Sequence, residues 1–183
     1  MSTSLNGWAV IDAVDTDGPF PRLRKGIVPG TGRHLYVRDG SVALVLLHLA
    51  LWFHEVIEPL SPEKTWDDWG WAKRPPRGST TGYSNHASGT AVDLNATQHP
   101  QGVAIASTFT PGQVQDIRDR LTDVYGDLID WGGAWRHPDG MHFEVAPGVT
   151  LAQVEKLARR LLDTDRGKRV VAENPGLRAV VLS

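Results

Sequence analysis

The most continuous apolar run of the chain lies at residues 42–57 and predicts a helix that is buried on most of its sides. Apolar residues occupy nearly every position, whereas a surface helix would show a single apolar stripe. Pro59 follows the run and cannot continue a helix, because it has no backbone N–H to donate. His48, His54, Glu55 and Glu58 interrupt the longer stretch at residues 42–60, and a membrane span needs roughly 20 mostly apolar residues. We therefore expect a core helix and no membrane insertion.

Two later segments show the spacing of amphipathic surface helices. Each begins with a threonine followed three residues later by a glutamine, Thr110 with Gln113 and Thr150 with Gln153, which is the pattern of a capping box. Apolar residues then recur every three or four positions, up to residue 128 in the first segment and to about residue 163 in the second. Both helices are expected to support the fold.

Three short segments are predicted to be strands. Residues 91–95 can alternate so that Asp93 shares one face with Ala91 and Asn95, while Val92 and Leu94 enter the core. Residues 128–133 and 141–146 are predicted to form two further strands joined by a polar turn. Residues 66–81 form a loop-and-strand region in which prolines restrict any strand to an edge.

The two ends of the chain show weaker patterns. Residues 1–40 are rich in glycine and proline and predict an irregular N-terminal arm with at most one short strand. Residues 165–183 mix charged residues with valine pairs, so that a final strand and a docked extension both stay open. We interpret residues 1–183 as one domain with these two appendages.

Composition limits the chemistry that the chain can perform. The 183 residues are 40% hydrophobic, which is enough to build a core. Nineteen basic and 21 acidic residues give a net charge of −2 without a basic block, so nucleic acid is not an expected partner. There is no cysteine, and any metal ion must therefore be bound by nitrogen and oxygen. The N-terminus lacks the charged start and apolar run of a secretory signal.

Two separated stretches supply a possible metal site. The first runs from Ser84 to Asp93 and holds His86, and the second runs from Asp139 to His142. Two imidazoles and one carboxylate match the three protein ligands of catalytic zinc sites, which leave a further position open. Small residues between His86 and Asp93 let the backbone bend closely around an ion. We predict His86, Asp93 and His142 as ligands of Zn²⁺, although each alone has an ordinary explanation as a loop or core residue.

Asp139 is the candidate proton carrier. It lies three residues before His142, so on a continuous strand it would point to the opposite face, and it must therefore lie in the turn. Asp-Gly is also a common turn dipeptide, which is the purely structural explanation. As a catalytic base, Asp139 would take a proton from water and pass it to the leaving amine.

Other polar and aromatic residues are candidates for contacts with a substrate. An arginine is suited to stabilising a tetrahedral oxyanion, and Arg74 and Arg77 both remain possible. Glu144 either orients the second nitrogen of His142 or lies in solvent. The candidates for direct substrate contacts are Ser84, Arg77, Trp131 and Trp135.

The remaining histidines have simpler interpretations. His48 and His54 lie on the predicted core helix and are expected to be packing residues. His54 and Glu55 begin a His-Glu-x-x-His motif, but position 58 is glutamate, so the motif fails. His137 contacts either substrate or nothing.

The two metal motifs together resemble the D-alanyl-D-alanine carboxypeptidase and phage endolysin peptidase family. The pattern is Ser-x-His-x-x-Gly-x-Ala-x-Asp at residues 84–93 with a later Asp-x-x-His at residues 139–142. Arg-Pro-Pro-Arg-Gly at residues 74–78 adds a likeness to peptidase domains of endolysins from phages of actinobacteria. The resemblance covers roughly residues 27–146.

This resemblance implies a zinc peptidase that cuts peptidoglycan stem peptides or cross-links. It implies the same three ligands, Asp139 as base and Arg74 as the best match to the family's oxyanion arginine. It also implies an α+β fold, in which a small antiparallel sheet carries the ligands and about three helices flank it. The expected partner is bacterial peptidoglycan, and the expected protein is a monomer that stays in the host cytoplasm until its release to the wall.

Two other functions stay open at this point. One is a zinc-stabilised cell-wall-binding domain without catalysis, against which Asp139 argues. The other is a metal-dependent amidase that cuts the bond between sugar and peptide.

Overall fold

A computed structural model of the protein describes residues 2–15, 22–60 and 66–183. The fold is α+β, as predicted, with five α-helices and two small antiparallel sheets in these ranges. The helices are α1 (Ser41–Trp52), α2 (Pro111–Asp123), α3 (Leu151–Leu161), α4 (Asp165–Glu173) and α5 (Leu177–Leu182). The strands are β1 (Leu23–Val28), β2 (Arg33–Arg38), β3 (Ala91–Asp93), β4 (Ile129–Trp131) and β5 (His142–Val145).

Helix α1 forms the centre of the hydrophobic core, as its continuous apolar sequence predicts. All of its residues are buried, and it packs against α3, α4, α5 and the β1–β2 hairpin. The helix continues through one wider turn, Phe53–Ile57, and the chain becomes extended at Glu58, just before Pro59. Both capping boxes predicted for α2 and α3 are present, at Thr110 and Thr150.

The N-terminal part of the chain is more regular than its composition predicted. Strands β1 and β2 pair along their full length, where we expected at most one short strand. Leu23, Leu35 and Val37 are buried, whereas Arg24 and Tyr36 are half-buried and Lys25 is exposed. Glycine and proline belong to the turn that joins the strands. Residues 1 and 16–21 of the predicted arm lie outside the described ranges.

The second sheet has the order β3-β5-β4, with β5 in the centre. Its register pairs Asp93 with His142 and Ala91 with Glu144. On the other side of β5, Asp130 pairs with Glu144 and Trp131 with Phe143. Directly opposed residues share a face, and alternate residues change face. One face therefore carries carboxylates and an imidazole, while the other carries core residues.

The C-terminal segment is helical, and the alternative of a final strand is wrong. Thr164 caps α4, and Val170, Leu177 and Val181 are buried against the core. These two helices raise the helix count above the expected three. Asn174 fixes the segment to the hairpin through two hydrogen bonds with the backbone of Ile27.

Across the described ranges, none of the helices combines the length and apolar character that crossing a bilayer requires.

Candidate metal site

His86 is held by a short helical turn that ends at a glycine. The turn spans Asn85–Ser88, and Gly89 follows in the left-handed conformation with φ of 70°. A Cβ on Gly89 would lie 2.6 Å from the backbone nitrogen of Arg38, so only glycine fits. The Nδ1–H of His86 donates to the carbonyl of Gly70 at 2.7 Å. This bond leaves Nε2 of His86 as the nitrogen that faces the site.

Asp93 and His142 meet because β3 and β5 place them directly opposite each other. Both side chains are buried, and Asp93 Oδ1 lies 2.9 Å from His142 Nδ1. The outer nitrogen of His142, Nε2, lies 2.7 Å from Glu144 Oε2. Glu144 therefore accepts the Nε2–H, and Nδ1 of His142 is directed into the site.

Three potential ligand atoms converge at this point. His86 Nε2 lies 3.2 Å from His142 Nδ1 and 3.2 Å from Asp93 Oδ1. Ligands bonded tetrahedrally to one zinc ion at about 2.0–2.1 Å are about 3.3 Å apart. Two nitrogen lone pairs and a carboxylate oxygen cannot satisfy one another without a shared cation or proton. The group His86, Asp93 and His142 therefore fits a zinc ion in distance, chemistry and burial.

A polar network behind the ligands fixes their orientation. Glu144 is 4% exposed, so it is the orienting residue and does not lie in solvent. Its Oε2 also accepts a hydrogen bond from Asn85 Nδ2 at 2.6 Å. Asn85 in turn accepts from the backbone N–H of Asn6 at 2.8 Å. The N-terminal segment thus supports the site from behind, which the sequence did not indicate.

The electrostatics of the group favour a positive charge. Burial alone would raise the pKa of Asp93, but the charge of His86 and hydrogen bonds from His142 and His86 hold that pKa below its usual range. Burial would lower the pKa of His142, but hydrogen bonds to Asp93 and Glu144, and their charges, raise it to about 10. The cluster therefore favours a positive charge, either a proton or a metal ion, over a neutral state.

Asp139 lies in the turn before β5, as predicted. The backbone N–H of His142 donates to the Asp139 carbonyl at 3.2 Å, and the Asp139 N–H donates to Gly132 at 2.9 Å. A Cβ on Gly132 would lie 2.6 Å from the carbonyl oxygen of Asp139, so glycine permits this close approach.

The Asp139 side chain is in an unusual state for a carboxylate. It is 8% exposed, and its Oδ1 has no hydrogen-bond partner among the described residues. Burial and the charge of Asp93 raise its pKa, while His142, Arg77 and His86 act in the opposite direction. A buried oxygen without a hydrogen-bond partner costs free energy of folding. A ligand that donates a hydrogen bond to Asp139 Oδ1 would remove this cost.

The predicted ligands and base open into a cavity of about 280 Å³. Arg74, Arg77, Ser84 and Trp135 also line it. Ser84 is buried, and its hydroxyl has no partner among the described residues. Arg74 is half-buried, and Arg77 is exposed.

The two predicted tryptophans lie in different environments. The Trp135 indole donates to Asp130 at 3.0 Å, and its ring centre lies 5.3 Å from that of His142. Trp131 is 1% exposed and packs against Phe143 in the core, so its position does not support the predicted contact with substrate. The cause is strand alternation, since Asp130 has the site-facing position on β4.

Three other histidines, His48, His54 and His137, lie away from this cavity. His48 is buried, with Nδ1 2.8 Å from the Tyr125 hydroxyl, and is a packing residue as expected. His54 accepts a hydrogen bond from the backbone of Leu60. His137 is exposed and does not line the cavity.

Sequence reasoning missed Asn85, the carbonyl of Gly70 and Asp130. Asn85 could have been found, because it is adjacent to His86 within the metal motif. Asp130 could have been found from the alternation of β4. Gly70 contributes only a backbone carbonyl, for which no side-chain signal exists.

The comparisons with known proteins agree with this geometry. No curated protein and no solved structure gave a significant match to the chain. A family model described as D-alanyl-D-alanine carboxypeptidase matches residues 77–145, which contain His86, Asp93, Asp139 and His142. The match and the buried His-Asp-His group together support a metallopeptidase of the zinc-dependent type that acts on peptidoglycan-type substrates.

Proposed function

We propose that this protein is a zinc-dependent endolysin peptidase that hydrolyses an amide bond in the peptide part of peptidoglycan. The observation that carries the proposal is the convergence of His86 Nε2, Asp93 Oδ1 and His142 Nδ1, beside a buried carboxylate that has no partner in the described residues. The cleaved bond is L-Ala to D-Glu, D-Ala to D-Ala or a cross-bridge amide.

The ligands His86, Asp93 and His142 would hold the zinc ion, with Glu144 fixing the tautomer of His142. A bound zinc ion supplies Lewis acidity and lowers the pKa of its water to about 7. The carboxylate of Asp139 takes the proton from the attacking water and delivers it to the leaving amine nitrogen. Its raised pKa suits this task, because a base with a pKa closer to neutrality also serves as the acid in the second step.

The oxyanion of the tetrahedral intermediate requires a donor on the cavity wall. Arg74 and Arg77 both line the cavity, and we assign the role to Arg74. Arg74 is half-buried, whereas Arg77 is exposed, and a charge acts more strongly where water is excluded. Arg77 instead lowers the pKa of Asp139 and so favours its ionised form.

The environment of Asp139 also favours an enzyme over a domain in which the metal ion has only a structural role. A structural domain gains nothing from a buried carboxylate oxygen that lacks a partner, because such an oxygen destabilises the fold. A catalytic base needs that oxygen free to accept a proton.

The experiment is a digest of purified peptidoglycan, analysed by mass spectrometry, with zinc-loaded protein, chelator-treated protein and the Asp139→Asn variant. New peptide fragments that are absent from both controls are the expected result, and their masses identify the bond. The masses also separate a peptidase from an amidase, which would release whole peptides from intact glycan. Zinc bound at one ion per chain with no fragments from any wall type would overturn the proposal in favour of a binding domain.

A further inference from the structure

A second and larger cavity, of about 650 Å³, opens onto the same metal site. His86, Asp93, Arg74 and Arg77 line both cavities. The other residues that line the second cavity come from β2 and from the segment at residues 66–72, and none comes from the turn that holds Asp139. A substrate bound at the metal can therefore extend into both cavities.

The second cavity differs from the first in its aromatic wall. Tyr36, Trp66 and Trp69 line it, and we call these three residues the aromatic platform. Trp66 is 42% exposed and Trp69 is 47% exposed. Exposed tryptophans on the wall of a cavity are a common mark of a binding surface, since burying an indole in the core would be more favourable for stability alone.

The platform is held rigidly next to a metal ligand. The backbone of Trp69 pairs with that of Asp93 through two hydrogen bonds of 2.9 and 2.8 Å. The N–H of Trp71 donates to the Tyr36 carbonyl at 2.5 Å, which connects the segment to β2. Because paired strands lie about 4.8 Å apart, the Trp69 side chain begins within one strand spacing of the Asp93 backbone.

Trp66 is likewise fixed at the far end of the platform. Its indole N–H donates to the carbonyl of Asp68 at 3.2 Å. The His34 ring centre lies 4.5 Å from its ring, and the Arg33 guanidinium lies 4.8 Å from it. Burial lowers the pKa of His34 and so favours the neutral imidazole, which has one donor and one acceptor for hydroxyl groups.

We propose that the aromatic platform binds a sugar ring of the glycan strand to which the stem peptide is attached. This inference rests on the proposed function, because it takes the substrate from it. The stem-peptide residues at the candidate bonds, alanine and glutamate, have no aromatic ring or large apolar surface that could pack against two indole rings. A pyranose ring offers a flat C–H face for stacking and hydroxyl groups at its edge, for which His34 is a suitable partner.

The position of the platform also limits the bond that is cut. An extended peptide covers at most about 3.6 Å per residue. A sugar on Trp69 therefore leaves room for only a few residues between the glycan and the metal. We infer cleavage near the sugar end of the stem peptide, in preference to the terminal D-Ala to D-Ala bond.

The first test is a titration of the zinc-loaded protein with soluble glycan fragments that carry no peptide, followed by tryptophan fluorescence. Binding by the wild type is expected, with about tenfold weaker affinity in Trp66→Ala and in Trp69→Ala. Leu151→Ala removes an equally exposed apolar side chain on α3 and should leave the affinity unchanged. The absence of binding by the wild type, or equal binding by all variants, would overturn the proposal.

The second test compares a stem peptide that carries its disaccharide with the same peptide without sugar. Both platform variants should raise KM about tenfold for the sugar-bearing substrate and leave kcat/KM for the free peptide unchanged. If Trp69 has only a structural role, Trp69→Ala should reduce the cleavage of both substrates. In that case Trp69→Phe, which keeps a ring, should behave like the wild type on both substrates. Glycan binding without cleavage of either substrate would contradict the peptidase proposal and support sugar binding by the aromatic platform. Cleavage without glycan binding would support the peptidase proposal and contradict sugar binding by the platform.

Discussion

Two regions of this protein bury histidines, and they do so in opposite ways. In the helical region, His48 on α1 has a hydroxyl partner at each ring nitrogen, Tyr125 at 2.8 Å and Thr164 at 3.3 Å. In the sheet region, His142 lies between two carboxylates, those of Asp93 and Glu144, and its inner nitrogen also faces His86. Both side chains are almost fully excluded from water.

The pKa values of the two histidines diverge accordingly. Burial and the charges of Arg120 and Arg166 lower the pKa of His48 to about 3. The carboxylates around His142 overcome burial and raise its pKa to about 10. Burial alone therefore does not distinguish a packing histidine from a ligand. The distinction lies in whether the inner nitrogens face neutral groups, which satisfy them, or a carboxylate and another imidazole, which require a cation.

The strongest test of this comparison replaces one histidine from each region. His142→Gln should abolish stoichiometric zinc binding and reduce peptidoglycan cleavage on the order of 10⁴-fold, because it removes a ligand. The matched variant His48→Gln should retain one zinc ion per chain and nearly full activity. Metal analysis and peptide release measure both effects. Equal loss in the two variants would contradict the comparison, once circular dichroism shows that both are folded.

A second prediction concerns the carboxylate beside the ligands. Asp139→Asn should lower the cleavage rate about a hundred- to a thousandfold while zinc binding is retained. In the metal-free protein it should also raise the melting temperature by a few degrees, since a buried charge without a partner disappears. Calorimetry and a rate assay measure these opposite effects. Asp116→Asn, at an exposed position on α2, is the control, and full activity of Asp139→Asn would refute its role as the base.

The outer partner of His142 should have a smaller effect. Glu144→Gln should weaken zinc binding about 10- to 100-fold, because the amide no longer accepts the Nε2–H as a carboxylate does. Competition with a chelator of known affinity gives this value. Glu155→Gln on α3 should change nothing, and unaltered zinc affinity in Glu144→Gln would show that this hydrogen bond does not orient the ligand.

The last prediction concerns the acid stability of the helical region. The folded protein keeps His48 neutral down to about pH 3, whereas the unfolded chain protonates it with the ordinary histidine pKa of 6.5. Between these values the unfolded state binds more protons, so stability falls as the pH falls. In metal-free protein, His48→Gln should reduce this dependence in denaturant titrations from pH 7 to 4. An unchanged slope would show that His48 is not held neutral.

Residues whose pattern is local were predictable from the sequence, and those that depend on distant contacts were not. Helix α1, both capping boxes and the site-facing strands follow from apolar spacing and local hydrogen bonds. The three candidate metal ligands follow from residue type within two short motifs. Strand β3 ends at Asp93, earlier than predicted, because Asn95 adopts a φ of 46° and its side chain binds Glu58 and Pro59.

The unpredicted parts of the site depend on tertiary register. Trp131 enters the core because β4 places Asp130 on the site face, and the sequence alone did not determine which of the two would face inward. The support from Asn6 to Asn85 joins residues 79 positions apart. The aromatic platform reaches the metal site only because Trp69 pairs with Asp93, a contact between a loop and a strand that has no periodic signal.

X-ray absorption at the zinc edge of the zinc-loaded protein tests the central claim most directly, namely that two imidazoles and one carboxylate bind a single metal ion. We expect one zinc ion per chain, with two nitrogen ligands at about 2.0–2.1 Å and carboxylate oxygen at about 2.0–2.2 Å. A spectrum with oxygen ligands alone, or one that His142→Gln leaves unchanged, would show that zinc binds elsewhere than at His86, Asp93 and His142.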